Sequence, residues 1–126
     1  MAVAVAVAAL LAAGMAYWLM RPPPPDLERA TVVYAQRCAY CHDLEGSIGV
    51  ALGPRVIASF RTARRLYNYT RLAMPYDAPR TMTDADIWLT VSYMIQTTDL
   101  APRVTAVTDA NADDITLEVL DDPTVR

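Results

Sequence analysis

The chain has 126 residues, 54% of them apolar and 20% charged, with a formal net charge of -3 and two cysteines. That length holds one small domain, the apolar fraction is too high for a disordered chain, and a single possible cysteine pair excludes a disulfide framework. Fourteen acids stand against 11 basic residues, all of them arginine, so no overall basic excess exists to neutralise phosphates and nucleic acid is excluded as a bulk electrostatic partner.

Residues 2–20, AVAVAVAALLAAGMAYWLM, carry no charge. As a helix rising about 1.5 Å per residue they reach about 29 Å, close to the roughly 30 Å hydrocarbon thickness of a bilayer. Tyr17 and Trp18 followed by Arg21 have the pattern of an interfacial aromatic belt with a snorkelling cation. The segment 1–21 therefore reads as a retained transmembrane anchor. The competing reading is a cleaved leader, because Gly14-Met15-Ala16 offers small residues at a cut that would release Tyr17. Against it, no cation precedes the apolar run, which exceeds the roughly 7 to 15 residues usual for a leader. Pro22 to Pro25 lack amide donors and have fixed φ, so 22–26 reads as a stiff polyproline spacer.

Residues 27–100 form the expected folded unit and 101–126 an acidic tail. Nine arginines between 21 and 100 face eight acids, whereas the tail has two arginines against six acids, a net of -4. Leu27 to Cys38 reads as a helix that sends Val33, Tyr34 and Arg37 to one side. Cys38-Ala39-Tyr40-Cys41-His42 follows, a C-x-x-C-H motif holding both cysteines and the lone histidine of the chain. On a helical turn two thiols at this spacing can each form a thioether to a haem vinyl group, while His42 reaches the iron from the proximal side. A structural zinc site needs further ligands and the chain has no other cysteine or histidine, so a tetrahedral site is hard to complete, and a thioredoxin-like redox motif needs an alternating βα pattern that is missing. Attachment of one haem c through Cys38 and Cys41 is the expectation, and export suits it, since bacteria attach this haem outside the cytoplasm.

Residues 43–58 read as a loop with Gly46, Gly49 and Gly53, and Ser59 as the N-cap of a helix through Leu72. Met74 precedes Pro75, which pushes it out of helical geometry into an extended loop. It is the favoured sixth ligand of the iron, with Met82 second, Met94 and an open position behind them, and core filler as the ordinary role of any methionine. Thr83-Asp84-Ala85-Asp86 reads as a cap with acids in the first turn, and Ile87, Val91, Met94 and Ile95 as a helical stripe packing across the first helix near Tyr34. Arg55, Arg61, Arg64, Arg65, Arg71 and Arg80 are a local basic excess. Arg55, beside the Gly-Pro turn, is the candidate for a haem propionate; the others could steer an acidic partner or simply face solvent. In the tail Ile115, Leu117, Val119 and Leu120 could dock on a partner or belong to a disordered terminus.

In order along the chain, Cys38 to His42, Gly53-Pro54, Met74-Pro75 and the segment Ser92-Tyr93-Met94-Ile95 resemble a class I mono-haem c-type cytochrome over roughly residues 27–98. The run from Leu66 to Pro79 is similar more narrowly to haem domains serving periplasmic sulfite and thiosulfate dehydrogenases and respiratory carriers. The resemblance implies an all-α cytochrome c fold around one covalent haem, here preceded by a single transmembrane helix. It implies that Pro54 gives its carbonyl to the ring N–H of the proximal His42, and a role as an electron carrier and not as an enzyme. Asp43 stands where glycine is common, and the tail beyond Thr98 has no counterpart. The expectation is a membrane-tethered carrier or, alternatively, a fixed subunit of a larger complex. Its partners would be a quinol-oxidising complex, a terminal oxidase, a photosynthetic reaction centre or a dehydrogenase. Its place would be the inner membrane as a single-pass protein, with the haem domain on the periplasmic side.

Overall fold

A computed structural model describes residues 2–20, 26–43, 48–101 and 106–119. The polyproline spacer Pro22 to Pro25, Arg21, Gly46, Leu120 and the last six residues lie outside the described residues. Among those described are six helices: α1 (Ala2–Met20), α2 (Leu27–Arg37), α3 (Ala39–His42), α4 (Pro54–Ala58), α5 (Ala63–Ala73) and α6 (Asp84–Thr97).

The first finding is a correction. Among the described residues no helix is long and apolar enough to cross a membrane. At about 1.5 Å per residue α1 stops just short of the roughly 30 Å hydrocarbon layer. The expected transmembrane helix is therefore removed from the fold class, and with it the single-pass inner-membrane location. A cleaved leader does not need a full span, and this finding leaves that reading of the segment where it stood.

The helical unit is built on α2 and α6. Asp26 caps α2 by accepting the Arg29 amide at 2.9 Å. Thr83 caps α6 by accepting the Asp86 amide at 3.1 Å, with Asp84 and Asp86 in the positive first turn. The stripe of Ile87, Val91, Met94 and Ile95 is buried, and the two helices meet through the rings of Tyr34 and Tyr93, 4.5 Å apart between centroids. The Arg29 guanidinium reaches Asp86 at 3.3 Å on the rim of the same interface.

Two boundaries differ from the sequence reading. The loop 43–58 contains α4, which starts with Pro54 at a position where a missing amide is harmless. Ser59 does not open α5: its backbone is helical and its hydroxyl donates to Val56 O at 2.6 Å, so it closes α4. Arg61 then takes a left-handed φ of 67°, which breaks the helical path, and extended Thr62 becomes the α5 N-cap by accepting the Arg65 amide.

The tail is neither disordered nor free to dock elsewhere over residues 106–119. Val107, Ala112, Ile115 and Leu117 are buried in the common core, and Thr116 forms an isolated antiparallel bridge with Thr62.

Candidate haem-binding site

The C-x-x-C-H motif becomes a site because α2 stops one residue before it closes. Cys38 leaves helical geometry at φ -124° while its amide still bonds Tyr34 O at 2.8 Å. Its carbonyl then accepts the amides of both Cys41 and His42 at 3.1 Å. This single turn, α3, sets Cys38, Cys41 and His42 along one cleft. Cys38 is buried and Cys41 half-buried, and both are free thiols. Burial pushes the Cys38 thiol up to about 11, helped by the negative charge of Asp43 and by Cys41 and opposed by Arg37. Cys38 is thus held as a thiol at neutral pH.

His42 Nδ1 lies 2.6 Å from the Val50 carbonyl. A carbonyl can only accept, so Nδ1 carries the hydrogen and donates, and in the neutral ring this places the lone pair on Nε2. In this structure the ring partner is Val50, and Pro54, the expected partner, is exposed at the head of α4. The reason lies in Gly49, whose amide holds the Cys41 carbonyl at 2.8 Å and so draws Val50 up to the ring. A Cβ on Gly49 would collide with that carbonyl and crowd His42 Nδ1, so only glycine fits this approach. Asp43, the departure from the family pattern, accepts the Tyr34 hydroxyl at 2.7 Å and bonds Ala39 O at 2.9 Å through its own amide. Burial first, and then this carboxylate, hold the Tyr34 phenol well above its ordinary range.

The other wall comes from α5. Its last turn ends at Met74, which is extended at φ -119° and ψ 150° as a residue before proline must be, with its amide on Thr70 O at 3.0 Å. The Met74-Pro75 bond is cis. Met74 is half-buried and lines the same cleft as His42, as does the buried Met94 of α6. Met82 is buried but does not line the cleft. Neither does Arg55, which is exposed; the arginine on the cleft wall is Arg37. Arg64 and Arg71 from the basic group are taken up in ion pairs, with Asp109 and Asp113 and with Asp84 respectively.

The cleft has a volume of about 570 Å³ and is walled mainly by apolar side chains, among them Leu52, Val56, Ile57, Phe60 and Leu66. Pockets for cofactors of this kind run from about 300 to 1,000 Å³ and are mostly apolar with a few placed polar groups. An imidazole with a free Nε2 and a thioether on the same cleft are a donor set suited to haem iron, and two thiols on one turn suit its vinyl groups. Among the described residues no group of three or more histidine, cysteine or acidic side chains could hold a metal ion, so the zinc alternative is not assembled.

A helical unit with these groups on one apolar cleft defines a c-type cytochrome. Residues 25–94, more than half of the chain, match the family described as cytochrome c oxidase, cbb3-type, subunit III, and the chain belongs to that family. No curated protein matches it, and no solved structure does. Its cofactor is haem c, held covalently by the two cysteines of the chain, Cys38 and Cys41.

Proposed function

We propose that the protein passes single electrons between redox complexes through one haem whose iron His42 and Met74 would ligate. The observation that carries this reading is the presence of Cys38, Cys41, His42 and Met74 on one cleft. When bound, the haem supplies a one-electron couple. Val50 fixes the tautomer and the orientation of the His42 ring and makes Nε2 a better donor. Met74, held extended between α5 and Pro75, would supply the second ligand, and a thioether in that role raises the potential. With both sides closed and no second histidine in the chain, oxygen or peroxide chemistry has neither an open position nor a distal imidazole, which favours a carrier over an enzyme. Arg37 on the cleft wall is the candidate for charge neutralisation of a propionate in place of Arg55.

The description of the family favours a terminal oxidase complex as the partner, and thus the fixed subunit over the mobile carrier. Haem staining of a native gel of detergent-solubilised cells tests this. The expected result is a haem band migrating with a large assembly whose other subunits, identified by mass, include an oxidase. A haem band that runs only as a small species contradicts the fixed subunit and leaves a mobile carrier.

A further inference from the structure

The residues 106–119 form a strap over the N-terminal end of α5, and the opposite end of that helix carries Met74. The first four amides of a helix have no partner within it. At the head of α5 the Ala63 amide donates to Ile115 O and the Arg64 amide to Ala112 O, both at 3.0 Å, while the Thr62 amide uses Phe60 O and the Arg65 amide the Thr62 hydroxyl. Half of that end is thus satisfied by the strap. The Leu117 amide donates back to Arg61 O at 2.9 Å. The Arg64 side chain adds Nη1 to Asp109 Oδ1 at 2.7 Å, Nη2 to Asp109 O at 2.6 Å and Nε to Asp113 Oδ2 at 3.1 Å. The same guanidinium lies over the stacked rings of Trp88 and Tyr67, 5.4 and 6.0 Å from their centroids. At its start the strap is tied to α6, where Ser92 Oγ accepts the Val107 amide at 3.0 Å. Val107, Ala112, Ile115 and Leu117 are buried beneath it.

A helix of three turns moves as a rod. If its N-terminal end loses two backbone acceptors and the Arg64 clasp, it tilts about the contacts of its middle, and the Met74 end moves by a comparable distance in the opposite sense. From these observations we infer that the strap is a positioning device for Met74: it holds α5 at the tilt that sets the thioether on the haem. The inference rests on Met74 being the ligand.

The test uses the full-length holoprotein. Exogenous imidazole can bind ferric iron only where methionine has left, and bound methionine sulfur gives ferric haem a weak charge-transfer band at the red end of the visible spectrum. Ile115→Ser and Leu117→Ser unseat the strap, and each is expected to raise imidazole affinity about tenfold and weaken the band, a shift of about 1.4 kcal/mol in methionine binding. Thr83→Ala, which weakens the α6 cap without touching the strap, is expected to leave both at parent values. Met74→Ala sets the limit, with no band and the tightest imidazole binding. If the strap variants behave as the parent while Met74→Ala lacks the band, the strap inference is overturned and the ligand reading stands. A band that survives in Met74→Ala overturns both. Should the strap variants not accumulate, Arg64→Gln decides, with a smaller rise in affinity expected and an unchanged value overturning the inference.

Discussion

At the scale of single residues, the site depends on a glycine and a carbonyl. C-x-x-C-H is legible in the sequence because it is chemistry written in side chains, and Met74 because proline forces its backbone outward. The Val50 carbonyl was not legible, since every residue has one and only the backbone path decides which carbonyl reaches the ring. Gly49 offered a signal, a glycine seven residues after His42, but the contact that requires it is with the Cys41 carbonyl and needed the fold to appear. Gly49→Ala is expected to cost about 1 to 3 kcal/mol through overpacking against Cys41 and His42. It should also lower the haem content per chain, measured by absorbance of the purified protein; parent haem content and an unchanged melting temperature would count against this packing. His42→Ala is expected to prevent accumulation of the holoprotein, and normal haem staining of that variant would refute the assignment.

Elements show where pattern reading succeeds and where it fails. For α6 the cap, the acidic first turn and the buried stripe all agree, so its position was readable. The start of α5 was not, because Ser59 and Thr62 are equally good caps by residue type. What selects Thr62 is the left-handed Arg61, a conformation that arginine does not advertise and that the strap stabilises by receiving Arg61 O on the Leu117 amide. Thr62→Ala is expected to lower stability by about 1 kcal/mol, whereas Ser59→Ala should stay within about 0.5 kcal/mol, as chemical denaturation would show. The packing of residues 106–119 is not legible for a similar reason: the acids suit a solvated or a docking terminus equally until Arg64, 45 residues earlier, is seen paired with Asp109.

For the whole molecule, a helical unit of this size buries little core without a prosthetic group at its centre. Haem attachment also removes a titration. In the haem-free chain burial raises the Cys38 thiol from 9.0 to about 11, so the fold binds that proton more tightly than the unfolded chain does. The stabilisation is complete below pH 9 and is lost as the pH climbs toward 11, an effect of at most roughly 3 kcal/mol. Denaturation of haem-free protein across that window should show the loss, and the holoprotein, whose Cys38 is a thioether, should lack this component. The Tyr34 phenol is raised as well, in part by Cys38, so both forms are compared in a Tyr34→Phe background. The N-terminal segment shows the opposite case, a pattern that suggested a membrane span from composition and length, while no described helix is long and apolar enough to cross.

The central claim is that His42 and Met74, which line one cleft, would both ligate the haem iron. X-ray absorption at the iron edge of the oxidised full-length holoprotein tests it most directly, because the cysteine sulfurs are bonded to the porphyrin periphery and not to iron. The account predicts one sulfur and five nitrogens in the first shell, with the sulfur lost in Met74→Ala. A shell of nitrogen or oxygen alone, or a sulfur that persists in that variant, would contradict it.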